Sequence, residues 1–272
     1  MKSAITLSQV TEAKAGPFVF HDPLPESFAK AGALGFDAVE LFFPGPHFTA
    51  IETVTSMATE HSLEIAAVGT GAGMVQQGLS LTDPDQARRG EALDFVLSMV
   101  DFGGQLGAPA ILGSMQGRWG GDVSRDQALV WLGEALQSCD ERAGRHGVRF
   151  IYEPLNRYET NLFNQLAPAA EYLATHGLDN TTLLADLFHM NIEESNLPSA
   201  IRAAGSRIGH VHFADSNRHA IGFGHTEIAP VIAALRDINY DRYLSAEIFP
   251  APNPDVAAEQ TLKSFKEHTA RP

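Results

Sequence analysis

Apolar runs recur along this chain, and between them the apolar positions shift to the three-to-four-residue spacing of an amphipathic helix. The runs predict eight strands: Ala4–Leu7, Ala38–Leu41, Glu64–Val68, Ala110–Leu112, Arg149–Glu153, Thr182–Asp186, Ile208–Phe213 and Leu244–Glu247. Helical periodicity predicts Pro25–Leu34, Ala87–Leu106, Arg125–His146, Pro168–His176 and Asp255–His268, several of them opening after Ser, Asp or Pro. Gly35, Gly107, Gly147 and Gly177 fall between a helix and the next strand, where a helix-terminating glycine is expected. Alternation of this kind implies a parallel sheet. Eight units in 272 residues match a (β/α)8 barrel, which takes about 250 residues, so the whole chain, residues 1–272, is read as one α/β domain.

Four of the apolar runs end on a residue that can hold a metal: Glu153, Asp186, His212 and Glu247, at intervals near one eighth of the 272-residue chain. In such a barrel the C-terminal strand ends share one mouth. The spacing therefore predicts three carboxylates and one imidazole meeting at a divalent-cation site. Three polar stretches follow these residues and are expected to be shaped loops. They are Pro154-Leu-Asn156-Arg157-Tyr158-Glu159, Leu187-Phe188-His189-Met190-Asn191 and Phe213-Ala-Asp215-Ser-Asn217-Arg218. Each brings groups able to hydrogen-bond a polyol close to a metal candidate.

Composition narrows the chemistry. A formal charge of −14, from 33 acidic against 19 basic residues, opposes binding to a phosphate backbone, so no nucleic-acid partner is expected. No stretch approaches the roughly 20 apolar residues of a membrane span, and the N-terminus lacks a basic patch ahead of an apolar run. The chain is expected to be soluble and cytoplasmic. Its one cysteine, Cys139, lies in a helical pattern and reads as a packed thiol.

Taken together, Glu153-Pro-Leu-Asn-Arg-Tyr-Glu159, Ala185-Asp186-Leu-Phe-His189-Met-Asn, Gly209-His-Val-His212 followed by Asn217-Arg218, and Ser245-Ala-Glu247 resemble the D-tagatose 3-epimerase branch of the xylose isomerase-like barrels. The resemblance runs in the family's order from Gly35-Phe-Asp-Ala-Val-Glu40 onward. It implies that Glu153, Asp186, His212 and Glu247 bind one cation, and that Glu159, His189 and Arg218 contact the substrate. It also implies a homodimer or homotetramer. Oxygen-rich donors with one imidazole suit Mn2+, with Mg2+ or Co2+ able to substitute, better than a structural zinc. No organic cofactor is expected.

A 3-epimerase must remove a proton beside a carbonyl and return one to the opposite face. A metal would stabilise the cis-enediolate, with Glu153 and Glu247 as base and acid. His189 and Arg218 would steady the oxyanion or orient the hydroxyls of a ketose or keto-sugar acid. The same residues could move a proton between C1 and C2, as in hydroxypyruvate- or inosose-type isomerases, or open a β-elimination, as in a keto-sugar lyase or dehydratase.

Other readings stand beside these. His210, two residues before His212, reads as a hydrogen-bonded barrel residue behind the site. Glu159 and Arg218 could pair with each other across loops. Trp119 is either a lid residue stacking on a sugar or a loop anchor, and His225 is equally open. Gly69-Thr-Gly-Ala-Gly73 lacks the Lys-Ser/Thr of a phosphate loop and reads as a close approach of backbone to substrate. Near the expected mouth the basic residues are Arg118, Arg157 and Arg218, which favours a free sugar or keto acid over a sugar phosphate. An endonuclease IV-like nuclease would need histidines where the chain has Gly69 and Gly113, and a basic face that is missing.

Overall fold

The computed structural model describes residues 1–270. Eight parallel strands close into a barrel in chain order: β1 (Lys2–Ser8), β2 (Ala38–Phe42), β3 (Glu64–Gly69), β4 (Ala110–Leu112), β5 (Phe150–Tyr152), β6 (Thr181–Asp186), β7 (Ile208–His212) and β8 (Tyr243–Ala246). The seam closes where β8 pairs with β1, with Lys2 opposite Tyr243 and Ala4 opposite Ser245.

Among the described residues ten helices surround the sheet: α1 (Leu24–Leu34), α2 (Ile51–Glu60), α3 (Ala72–Gln77), α4 (Gln86–Gln105), α5 (Arg125–Arg145), α6 (Leu166–Thr175), α7 (Leu187–Glu193), α8 (Leu197–Ala204), α9 (Ile228–Asp237) and α10 (Pro254–Thr269). Among the described residues no helix is long and apolar enough to cross a membrane.

Helix boundaries follow local chemistry. Asp85, Ser124, Asn196 and Asn253 cap α4, α5, α8 and α10, each side chain accepting a backbone N–H of the first turn. Gly35 and Gly177 end α1 and α6 at φ of 90° and 65°, a left-handed turn that glycine adopts without steric cost. The predicted strands and long helices lie within about two residues of those observed. The offset reaches two residues at the start of β1 and at α6, which starts two residues before Pro168 because proline is tolerated in a helix's first turn.

Strand residues alternate between two cores. Ala110 and Leu112 of β4 join the large cluster that packs against the helices. Ile111 between them joins Ala67, Ile151 and Leu184 in a separate small cluster. Cys139 is fully buried in the helix-facing core, and burial pushes its thiol well above the ordinary range.

One expectation is corrected. The stretch after Asp186 is not a loop but helix α7, which begins at once because the Asp186 carboxylate accepts the Phe188 N–H at 2.8 Å and caps it. Helices α2, α3, α8 and α9 were not delimited from the sequence; α3 and α8 have 6 and 8 residues, too few for a clear repeat.

Candidate active site

At the C-terminal mouth a cavity of about 340 Å3 is lined from both halves of the chain. From β1 to β4 and their loops come mainly apolar and small groups, among them Phe18, Phe42, Gly69, Gly71, Val75 and Ile111. Phe18 and Phe42 stack with ring centroids 4.3 Å apart. From β5 onward come Glu153, Glu159, His189, His212, Arg218 and Glu247.

The four predicted metal candidates are brought together. His212 Nδ1 lies 3.4 Å from Asp186 Oδ2, 3.5 Å from Glu247 Oε2 and 3.7 Å from Glu153 Oε1. Adjacent ligand atoms about 2.1 Å from a shared ion lie roughly 3.0 to 3.5 Å from one another. Asp186 and Glu247 meet that spacing from His212, and Glu153, slightly beyond it, still groups with Asp186 and His212 with ligand atoms all within 4.8 Å of one another. Two observations support the fit. Glu153 Oε1 is buried without a hydrogen-bond partner. Burial disfavours a charged His212, yet Glu40, Glu247 and Asp186 outweigh it and hold the imidazole well above its ordinary value. The field that would keep a proton on Nδ1 would equally hold a cation there.

Glu153 follows β5, where its N–H donates to the Leu112 carbonyl at 3.0 Å. Its carboxylate occupies space that only a glycine at 113 leaves open, since a Cβ there would stand 2.5 Å from Glu153 Oε2. Burial, with the charges of Glu247 and Asp186, pushes Glu153 well above the usual carboxylate range. Burial opposes ionisation of Asp186 too, but His189, His212 and Arg218 outweigh it and hold that carboxyl well below its range.

Behind His212 sits a residue to which sequence reasoning assigned no role. Glu40 on β2 is buried, with Oε1 3.1 Å from His212 Nε2 and Oε2 2.7 Å from His210 Nε2. Burial works against its charge, and the two imidazoles overcome it, keeping Glu40 an anion. With Nε2 donating to Glu40, Nδ1 of His212 is the nitrogen that faces the carboxylates, where a cation would take the place of its proton. His210 is thus a hydrogen-bonded barrel residue, as its spacing suggested.

His189, on α7, is oriented by Asn156, whose Nδ2 donates to His189 Nδ1 at 2.7 Å and to Glu159 Oε1 at 2.9 Å. An accepting Nδ1 leaves the proton on Nε2, aimed at the site 3.7 Å from Glu153 Oε1. Burial lowers the pKa of His189, which favours this neutral donor form. Arg218 bonds Glu247 directly through Nη2, with Nη1 3.7 Å from Glu159 Oε1 and Cζ 5.0 Å from the Phe188 ring centroid. The loop ion pair and the cavity-lining position therefore coexist.

Other candidates lie elsewhere. Trp119 does not line the cavity; its backbone N–H and its indole Nε1 each donate to Asn161 at 2.9 Å, which makes it a loop anchor. His225 and Arg118 are also outside the lining. Arg157 pairs with Glu193 at 2.9 Å at the surface. The glycine-rich turn after β3 does line the cavity: a Cβ at Gly69 would meet the Phe42 ring at 2.9 Å.

Comparison with known proteins is consistent with this geometry. The pattern of xylose isomerase-like TIM barrels matches residues 28–268. An L-ribulose 3-epimerase of Mesorhizobium japonicum is 33% identical over 228 residues, 83% of this chain and 75% of its own length. A D-psicose 3-epimerase of Ruminiclostridium cellulolyticum is 31% identical over 226 residues, 81% of this chain and 76% of its own. The crystal structure of a D-psicose 3-epimerase with D-tagatose, from Clostridium cellulolyticum H10, superposes with a TM-score of 0.83 over 100% of both chains. At 23% identity that last likeness is one of fold.

Proposed function

The chain belongs to the xylose isomerase-like TIM barrel family, and from that premise we propose that it is a divalent-metal-dependent epimerase that inverts C3 of a free, neutral ketose. The observation that carries the reading is the placement of Glu153 and Glu247 on either flank of the Asp186–His212 pair, each carboxylate within 3.7 Å of His212 Nδ1.

Glu153, Asp186, His212 and Glu247 would hold the cation, with Mn2+ the first choice for this donor set. A bound divalent cation supplies Lewis-acid stabilisation of the negative charge that develops on the substrate oxygens. Glu153 and Glu247 act on opposite faces of C3, one taking the proton and the other returning one. His189 donates from Nε2 to the developing oxyanion. Arg218 keeps Glu247 in place and offers its remaining N–H groups to substrate hydroxyls. The apolar lining around Phe18 and Phe42 would displace water from the face of a bound sugar, which would strengthen each of these interactions.

The charge balance supports a neutral substrate over a keto-sugar acid or a sugar phosphate. With the cation offsetting Glu153 and Glu247, and His210 and His212 paired with Glu40, the lining still sets Glu12 and Glu159 against one arginine, Arg218. Glu247 already holds Arg218, so among the described lining residues no guanidinium or ammonium is left over for a phosphate.

The test is proton NMR of the Mn2+-loaded protein in D2O with a panel of free ketoses, keto-sugar acids and ketose phosphates. Deuterium at C3 with an epimeric product is expected for a neutral ketose. Exchange at C1 or C2 alone would make the enzyme an isomerase, loss of water a dehydratase, and no exchange at all would overturn the assignment.

A further inference from the structure

The loop between β7 and α9 delivers Arg218, and its shape depends on a side chain outside the cavity lining. Asp215 is 1% exposed and spends its whole carboxylate on the loop's own backbone. Oδ1 accepts the N–H groups of Ser216 at 2.7 Å and Thr226 at 2.9 Å; Oδ2 accepts those of Gly222 at 2.8 Å and Gly224 at 2.9 Å. The main chain of Asp215 closes the same turn. Its N–H donates to the His219 carbonyl at 2.9 Å, and its carbonyl accepts the Arg218 N–H at 2.8 Å.

Arg218 itself has φ of 60°, the left-handed region that a residue with a side chain adopts only when its surroundings impose it. Its carbonyl is taken by the Phe249 N–H at 2.8 Å, which ties the turn to the segment after β8. Gly222 has φ of 99°, and a Cβ at Gly224 would lie 2.4 Å from Asp215 Oδ1, so both glycines are needed for the amides to converge. Convergent amides of this sort form an anion nest. In many barrels the loops after strands seven and eight bind a phosphate; here the nest after β7 is filled by the protein's own carboxylate.

We propose that Asp215 is a positioning residue: by filling the amide nest it holds Arg218 in the left-handed conformation that places the guanidinium against Glu247 and over Phe188. The kinetic part of the test rests on the ketose-epimerase reading; the structural part does not.

Asp215→Asn keeps the volume but replaces one acceptor oxygen with a donor that faces two N–H groups. In the Mn2+-loaded full chain, kcat/KM is expected to fall on the order of a hundredfold, the scale of an ångström-level misplacement. In an Arg218→Ala background the same change is expected to cost less than about twofold, because the group it positions is gone. Gly224→Ala, which disturbs the nest from the opposite side, is expected to show the same dependence on Arg218 and serves if the first variant does not fold. An equal loss in both backgrounds would reduce Asp215 to general loop stability and overturn the proposal. Should the wild type turn over no ketose, the function falls, and crystal structures of the two single variants still decide this inference. Arg218 leaving its left-handed conformation supports it, and Arg218 unmoved refutes it.

Discussion

Glu40 on β2 hydrogen-bonds His212 on β7 through Nε2 at 3.1 Å, which leaves Nδ1 as the nitrogen facing Glu153, Asp186 and Glu247. A carboxylate behind a metal-binding imidazole sets its tautomer and aim. Glu40→Gln is expected to weaken Mn2+ binding about 10- to 100-fold, measured by calorimetry, with the far-ultraviolet circular dichroism unchanged. Unaltered affinity would mean that His210 and the barrel walls suffice to orient His212.

Glu153→Gln and Glu247→Gln each remove one of the two carboxylates proposed for proton transfer without changing volume. Turnover in either variant is expected to fall by at least about 10²- to 10⁴-fold at saturating Mn2+. Wild-type rates in one of them would leave a single carboxylate serving both faces.

Gly113→Ala tests the seat of Glu153, because the added methyl would stand 2.5 Å from Oε2. The carboxylate must move, and kcat/KM should drop on the order of a hundredfold while the protein remains folded by circular dichroism. A variant with native kinetics would show that Glu153 does not work from the position described.

Chelation should abolish activity and lower the melting temperature, and Mn2+ should restore both. Because the ion binds only the assembled site, stability should rise by about 2.7 kcal/mol at a hundredfold excess over Kd. A melting temperature indifferent to EDTA and Mn2+ would remove the metal from the proposal.

Asp215 makes a prediction in acid. Burial opposes its charge, but four backbone N–H groups overcome burial and hold the carboxyl below its ordinary value. A depressed folded pKa contributes stability above the unfolded value, about 3.9, that is lost as pH falls through the folded one. The stability gap between wild type and Asp215→Asn, on the order of 1 to 3 kcal/mol near neutrality, should therefore shrink below about pH 4. Urea unfolding in chelator across pH 3 to 7 measures it; a gap that stays constant would mean the nest does not depend on the charge.

Much of the architecture was legible because a parallel strand buried on both faces keeps a short apolar run at its centre, as Leu183-Leu-Ala185 does in the fully buried β6. The gathering of Glu153, Asp186, His212 and Glu247 was legible for the same reason: the end of each run marks the mouth. Glu40 was present in Gly35-Phe-Asp-Ala-Val-Glu40, but its partners lie 170 and 172 residues later, and no local pattern links them. Asp186 concealed α7 because one carboxylate serves as both strand end and helix cap. The two readings of Trp119 were separated by Asn161, 42 residues away.

The division of the cavity lining between the first four strands and the last four carries a consequence for inheritance and engineering. Most of the titratable lining groups are encoded in one contiguous half of the chain, while most of the apolar and small lining residues are encoded in the other. On the proposed function, recombination near the β4–β5 junction would exchange that wall of the cavity as a block and leave Glu153, Asp186, His212, Arg218 and Glu247 in place, provided that Glu40 and Gly113 travel with the incoming half. Laboratory evolution toward a new ketose should accordingly accumulate its changes before residue 150.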